Sequence, residues 1–359
     1  MAKFHSLQIK DVRKETADSV SIAFAIPEDS KSDFGFINGQ YITLKADLNG
    51  EEVRRSYSLS SCLTTDQEHR IAVKKVDGGK MSTWLTQEVS AGDSIDVAAP
   101  EGGFHPDFDS NQTKSYVLFA AGSGITPIIS ILKGVLANEP DSKVVLFYGN
   151  STEEDIIFKT ELDALASQNE QFTYYNIISQ AGKKGGMGLF KKKDIFAGRM
   201  DNKKVVALLN QYADLSIENE FYICGPTGMM QTVQNALNNL RVPAENINVE
   251  YFTAPESDDA STTNVGSQDA KAVIILDDEE EEINIPAGTT VLDAALDEGI
   301  DAPYSCRGAV CSSCMAKLEE GEVEMKMNYV LTDDEVKDGY IVTCQAVAKS
   351  AKLKVNYDV

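Results

Sequence analysis

The chain has 359 residues, 42% of them apolar and 25% charged, with a formal net charge of −23. That length allows two or three domains, and the composition is that of an ordinary globular protein. So acidic a field repels phosphate backbones and anionic lipid, which argues against a nucleic-acid-binding or membrane-surface role. The acid is concentrated late: from Ala254 onward there are 23 acidic and 8 basic residues, −15 of the total. Solubility accounts for this, and so does steering toward a basic docking surface on a protein partner.

The opening "MAKFHSLQIK" lacks the apolar run of a secretory signal. A cytoplasmic, thiol-reducing setting is therefore expected, where structural disulfides are rare. Residues 1–112 read as short strands with turn punctuation: "HSLQIKDVRKE", "SVSIAFAIP", "GQYITLKADLNG", "RRSYSLSS", "HRIAVKKVDGG" and "SIDVAAPEGG". Such spacing predicts a small antiparallel barrel or sandwich, with "TWLTQEV" as an interrupting short helix.

From 113 to 253 the rhythm changes. "SYVLFAAG" precedes "TPIISILKGVLANE", "KVVLFYGN" precedes "DIIFKTELDALASQ", "TYYNIISQ" follows, and "EFYICG" leads into "PTGMMQTVQNALNNL". Continuous apolar strands each followed by a helix predict an α/β domain with a parallel sheet covered on both faces. The charge-free run Ser115–Leu132 imitates a membrane span, but Gly122, Gly124 and Pro127 interrupt it. A strand, a glycine turn and a helix explain it better than a bilayer crossing.

Residues 254–270, "APESDDASTTNVGSQDA", have Val265 as their one large apolar residue and read as a flexible linker. As a random coil they would average roughly 20–25 Å end to end. The last block, 271–359, opens with "AVIILDDEEEEINIPAGTTVLDAALDEG". That predicts a hairpin whose solvated tip is "DDEEEE", then a helix capped by Thr289 or Thr290.

Four of the six cysteines follow: Cys306-x4-Cys311-x2-Cys314, then Cys344 thirty residues later. In a reducing setting such a group is metal-binding or catalytic. Structural zinc is usually held by two tight Cys-x2-4-Cys pairs. Three ligands from one loop and a distant fourth is the two-iron ligand pattern of plant-type ferredoxins. Such a loop must wrap an anionic cluster with its N–H groups toward the sulfurs. Gly308 permits close approach, and Ala309, Ser312 and Ser313 are too small to obstruct it. Arg307 is either a nearby positive charge or a surface residue. Cys62 and Cys224, outside the group, read first as small buried side chains. "SCRGAVCSSC" with Cys344, preceded by "TTVLDAALDEGIDAPYSC", resembles the plant-type ferredoxin family, which implies a β-grasp fold and a [2Fe–2S] cluster.

A two-iron cluster takes one electron at a time whereas pyridine nucleotide gives two, so a flavin between them would divide the pair. "RRSYSLSS" and "VDGGKMSTWL" in the barrel block resemble the FAD motifs of the ferredoxin–NADP reductase family. That resemblance implies that Arg55 pairs with the pyrophosphate, with Ser56 beside it, that Tyr57 packs on the isoalloxazine, and that Ser58 lies near flavin N5. It further implies that backbone N–H groups of Gly79, Lys80, Met81 and Ser82 cradle phosphate at a helix start, and that Val73 and Lys74 line the flavin.

"GSGITP" lacks the third glycine of a Rossmann fingerprint but is similar to this family's nucleotide loop, with Gly122 and Gly124 for close approach, Pro127 in the first helical turn, and Thr126 within reach of nucleotide or flavin. "YICGPTGMM" resembles the nicotinamide-end motif, which implies Cys224 beside nicotinamide C4 with Gly225 and Pro226 next to it. The family's Glu-x-aromatic ending maps to Glu250 and Phe252, with Tyr251 the alternative ring. NADPH is expected rather than NADH. Ser151 stands where NADPH-binding relatives often have Arg, so Arg199 and Lys183, Lys184, Lys191, Lys192 and Lys193 are the candidates for 2′-phosphate charge.

The block order resembles the reductase components of oxygenase complexes, those of phenylacetyl-CoA epoxidase first and of aromatic-ring dioxygenases next. The resemblance implies an oxidoreductase passing electrons from NADPH through FAD and [2Fe–2S] to an oxygenase partner, with Ser58, Cys224 and Glu250 as catalytic residues. A non-catalytic flavin and iron–sulfur sensor is the reading of another class, and "GSGITP" and "CGPTGMM" argue against it.

Overall fold

The computed structural model describes residues 3–181, 195–254 and 269–359. In the first block, alternating apolar residues build six antiparallel strands: β1 (Phe4–Lys14), β2 (Ser19–Ala25), β3 (Tyr41–Asp47), β4 (Glu52–Ser58), β5 (His69–Lys74) and β6 (Ser94–Ala98), in the order β4-β3-β6-β1-β2-β5. A bridge between Leu59 and Ile71 links the two outer strands and closes a barrel. Leu7, Ile9, Ile22, Ile42, Leu44 and Ile71 fill it, as the two-residue period of a strand requires. Helix α1 (Lys80–Gln87) plugs one end with Met81 and Leu85.

The second block is a six-stranded parallel sheet: β7 (Ser115–Ala121), β8 (Lys143–Asn150), β9 (Phe172–Ile178), β10 (Ile195–Ala197), β11 (Asn219–Cys224) and β12 (Ile247–Glu250), in the order β10-β9-β8-β7-β11-β12. Helices α2 (Ile125–Asn138), α3 (Lys159–Gln168), α4 (Asn202–Tyr212) and α5 (Thr227–Asn239) cover it. Both faces are buried: Tyr116, Leu118 and Leu146 pack on one side, Val117, Phe119 and Phe147 on the other. The charge-free run divides into β7, a glycine turn and α2. No helix among the described residues is long and apolar enough to cross a membrane.

Two differences from expectation appear here. The helix expected over "DIIFKTELDALASQ" begins only at Lys159. Ile156, Ile157 and Phe158 are buried in the sheet core and Phe158 is left-handed at φ 60°, so tertiary burial overrides the helical pattern. Strand β10 and helix α4, which starts at an Asp201 cap accepting from the Lys204 N–H at 2.8 Å, were not anticipated.

The last block has a mixed sheet of β13 (Ala270–Leu276), β14 (Glu279–Ile285), β15 (Met315–Glu320), β17 (Tyr340–Val342) and β19 (Lys352–Asn356), in the order β14-β13-β19-β15-β17, with a ribbon of β16 (Val323–Met325) and β18 (Ala346–Ala348). Helix α6 (Val291–Asp297) packs on it in a β-grasp arrangement, capped by Thr290, and α7 (Asp333–Lys337) is a short acidic helix. The hairpin turn is Asp277–Asp278 alone, both at positive φ, the pattern of a two-residue turn. Glu279–Glu282 lie within the edge strand β14, paired with Val273–Leu276, so only Asp277 and Asp278 of the acidic run form the tip. Residues 255–268, most of the expected linker, lie outside the described residues, and Ala270 already belongs to β13.

Candidate functional site

Strand order reverses between β7 and β11, and open parallel sheets bind ligands at the carboxyl side of such a point. Both glycine motifs end there. Gly122 is left-handed at φ 54° and a Cβ on it would face open space. Gly124 has a different task from the expected one: a Cβ there would lie 2.3 Å from the Cys224 carbonyl oxygen, so its missing side chain admits the neighbouring strand end rather than a ligand. Thr126 is buried and its hydroxyl donates to the Ser123 carbonyl at 3.0 Å. Beyond Cys224, Gly225 closes on Ala121 and Met229, and Pro226 precedes α5.

Cys224 pairs in register with Glu250 on β12, and the Ser58 hydroxyl, at the end of β4, donates to Glu250 Oε2 at 3.1 Å. Three side chains remote in sequence thus meet where barrel and sheet adjoin. Burial pushes the Glu250 carboxyl up to about 8 against the lowering effect of the Ser58 hydrogen bond. Although Glu250 as a residue is partly exposed, its carboxyl group is shielded. Burial, with the Glu250 charge added, raises the Cys224 thiol well above its ordinary range, so it stays protonated. Phe252 is 40% exposed, whereas Tyr251 bonds to Gln234 and lies 5.5 Å, centroid to centroid, from Tyr329 of the last block.

On the barrel, Arg55 is exposed and its Nη1 donates to the Arg54 carbonyl at 2.6 Å. Tyr57 packs against the barrel core, which raises its phenol. The Val73 and Met81 side chains lie inside that core, leaving only their backbones for a ligand, and Lys74 stands 3.4 Å from Asp18. At the start of α1, Ser82 Oγ accepts from the Val76 N–H at 3.1 Å, and Lys80 is ion-paired with Glu51. A cleft of about 670 Å³ opens beside Gly79, Lys80 and Trp84, with Asp47, Glu51 and Glu88 among its walls. Lys80 is its one basic lining residue.

The four late cysteines form two pairs. Cys311 Sγ lies 3.1 Å from Cys306 Sγ, and Cys314 and Cys344 are in hydrogen-bond contact. Among the described residues no three His, Cys, Asp or Glu groups converge as they would around one ion. Two pairs suit two bridged irons rather than one tetrahedral zinc. The loop wraps as expected, but through Arg307 and Ala309, left-handed at φ 52° and 57°, rather than through Gly308. Successive N–H groups then point inward as in an anion nest. Gly308, Val310 and Cys311 donate to the Cys306 sulfur, Gly308 at 3.3 Å, and Ala309 donates to that of Cys344. The donor set and its N–H shell fit an anionic cluster. Arg307 is exposed, 4.6 Å above the Tyr304 ring and 3.6 Å from Asp293.

Ser312 and Ser313 dock the loop as well as leaving it room. The Ser312 N–H donates to the Tyr41 hydroxyl at 3.1 Å, and Ser313 Oγ donates to Glu101 at 2.5 Å. Even positions of β4 continue the contact. Arg54 reaches Asp301 at 2.7 Å, Ser56 donates to Ser305 at 2.7 Å, and Ser58 meets Glu250. Sequence reasoning did not single out Arg54, Tyr41 or Glu101. Only the unusual doubling of arginine before Ser56 signalled the first. Arg199 is exposed, while Lys183, Lys184, Lys191, Lys192 and Lys193 lie outside the described residues.

An antiparallel barrel, a parallel nucleotide-binding sheet and a four-cysteine β-grasp domain together define a pyridine-nucleotide-dependent flavin and iron–sulfur reductase. Family models agree: an oxidoreductase FAD-binding domain matches residues 6–105, an oxidoreductase NAD-binding domain 118–235, and a 2Fe-2S iron-sulfur cluster binding domain 274–349. The chain is 35% identical over 360 residues to one of the subunits of 1,2-phenylacetyl-CoA epoxidase from Escherichia coli (strain K12), covering 100% of this chain and 99% of that one. It is also 35% identical over 368 residues to the 3-ketosteroid-9-alpha-monooxygenase ferredoxin reductase component of Mycolicibacterium smegmatis, covering 98% and 96%. Phthalate dioxygenase reductase superposes with a TM-score of 0.59 at 25% identity over 98% of both chains. The chain belongs to this family of three-domain reductase components and is an NAD(P)H oxidoreductase with FAD and [2Fe–2S] as cofactors.

Proposed function

We propose that this chain works in the cytoplasm, takes electrons in pairs from NADPH and delivers them singly to the diiron subunit of a phenylacetyl-CoA epoxidase. FAD, when bound, would supply acceptance of the pair and its release one electron at a time, matched to a [2Fe–2S] cluster. Arg55 and the N–H groups of Gly79–Ser82 hold the FAD pyrophosphate, Ser56 and Tyr57 border the cofactor, and Val73 and Lys74 line it. Gly122, Gly225 and Pro226 receive the nucleotide, Thr126 holds the Gly122 turn in shape from behind through its bond to Ser123, and Phe252 shields the flavin site from water. Cys224 stands at the nicotinamide end as a neutral thiol. Ser58 and Glu250 hold a proton between Oγ and Oε2 and move it toward solvent. Cys306, Cys311, Cys314 and Cys344 ligate the cluster.

One observation carries this reading. On a single strand, Ser58 touches the Glu250 carboxylate beside Cys224, while Ser56, two residues earlier, touches Ser305 of the cluster loop. A strand rises about 3.3 Å per residue, so both sites border one small space. NADPH is favoured over NADH by two features. Asp155 is engaged by the Thr152 N–H and hydroxyl, both at 3.0 Å, and so is withdrawn from a ribose. Met200 packs on Gly149 near the end of β8, and Arg199, its neighbour in the chain, is exposed and free to supply charge to a 2′-phosphate.

The acidic last block suits a basic docking surface on the partner. A steroid monooxygenase relative of equal identity supports a second reading, with another oxygenase as acceptor. Anaerobic stopped-flow mixing with NADPH should bleach flavin absorbance first and cluster absorbance second. Bleaching with neither NADPH nor NADH would favour a sensor. Reconstitution with each candidate oxygenase then separates the two acceptors by product formation.

A further inference from the structure

Arg54 sits one residue before the arginine that the sequence motif selects, on the opposite face of β4. It is 4% exposed, whereas Arg55 is exposed. Its Nε donates to Glu52 at 2.8 Å and its Nη2 to Asp301 at 2.7 Å. The guanidinium plane lies 4.5 Å from the Tyr304 centroid and 5.3 Å from that of Phe4. Glu52 and Phe4 belong to the barrel, while Asp301 and Tyr304 lead directly into Ser305 and Cys306. A forked, permanently charged group held between two rings and two carboxylates is well suited to fix one segment against another.

We propose that Arg54 is a latch that seats the cluster loop on the flavin barrel, a positioning residue for electron transfer between them. The latch is releasable by construction. Asp301 keeps 45% of its side chain in water, so dissolved ions screen the pair. Arg54 Nη1 is buried with no hydrogen-bond partner, so docking withdraws one donor from water without replacing its acceptor. The neighbouring Ser56–Ser305 and Tyr41–Ser312 contacts are neutral and set the register of the seat, while the charge pair gives it a salt response.

This inference rests on the cluster reading above, so the test includes measurements that do not need the cluster to turn over. Asp301→Asn, Arg54→Lys and Arg54→Ala in the full-length holoprotein are compared by small-angle X-ray scattering, by NADPH-dependent dye reduction and by stopped-flow cluster reduction. In the native chain the radius of gyration should rise, and cluster reduction slow, as salt increases. Asp301→Asn should show the expanded form already at low salt and respond little to added salt. Cluster reduction should fall roughly tenfold, the change that 1.4 kcal/mol of docking free energy produces, with dye reduction unchanged. Arg54→Lys should lie between the native chain and Arg54→Ala. Native scattering, native cluster reduction and a native salt response in Asp301→Asn would overturn the latch, whatever the Arg54 variants do to the barrel. Preparations without iron and acid-labile sulfide would overturn the cluster reading, and scattering would still decide the latch.

Discussion

The barrel makes two interfaces, and they are built on opposite principles. Against the nucleotide sheet it shares a core: Ala72 and Phe104 of the barrel side pack in one apolar cluster with Tyr116, Ile128 and Tyr222, and Phe104 meets the Tyr222 ring edge-on at 5.4 Å. Polar groups there are buried and connected. Asn38 Nδ2 donates to Ser130 Oγ at 3.1 Å, and Lys133, in α2, bonds Ser60, Asp66 and Glu161. Against the β-grasp domain the barrel offers hydroxyls, one carboxylate and Arg54, and the apolar core of that domain is made of its own residues alone. A shared core makes one permanent body, while a polar contact without one makes a joint that can open.

The comparison can be broken or sharpened experimentally. The largest effect should come from Cys311→Ser, which is expected to keep NADPH-to-dye activity while reducing transfer to a one-electron protein acceptor to background. Retained transfer would mean that the cluster is not the exit. On the permanent interface, Lys133→Ala should cost about 2 kcal/mol in denaturant unfolding, because it removes the buried cation that joins Ser60 to two carboxylates partly in water. A loss below about 1 kcal/mol would make the two interfaces alike.

A subtler effect concerns Glu250. Its folded value of about 8 lies above the ordinary 4.5. The native state therefore binds the proton more tightly than the unfolded chain. The stability this gives is complete below about pH 4.5 and is lost as pH rises through about 8. Glu250→Gln should remove that part of the slope, seen as a flatter melting temperature between about pH 5 and 9. An unchanged slope would place the proton elsewhere. Smallest of all, Asp301→Asn should lower global stability by no more than about 1.4 kcal/mol, the docking free energy itself, since its pair is half in water. A larger loss would make the joint a structural interface.

Much of this was legible in the residues. Cys306-x4-Cys311-x2-Cys314 encodes its loop because ligand spacing is a local property. "RRSYS", "GSGITP" and "YICG" fall where chain direction must change beside a strand end. What could not be read depends on which residues meet. Arg54 and Arg55 differ by one step of a pleat, and only the docked domain makes the first buried and leaves the second exposed. Gly124 looks like a ligand-facing glycine until β11 is seen to close on it. "DIIF" has helical periodicity, yet the sheet takes all three apolar side chains before a helix can start. "DDEEEE" reads as a tip because charge is usually at a tip. On β14 the glutamates guard an outer strand, where charge discourages pairing with another chain.

Strand β4 fixes more than contacts. Because Arg54, Ser56 and Ser58 share one pleat face, the interval from the cluster seat to the proton-holding carboxyl is set by covalent geometry, about 7 Å for two residues. Loops elsewhere can lengthen without altering it. A single residue inserted between Arg54 and Ser58 would turn part of that face toward the barrel interior, and would separate the entry and exit of electrons without touching any ligand. Natural variation in length should therefore be absent from these five positions, even where the surrounding turns differ freely.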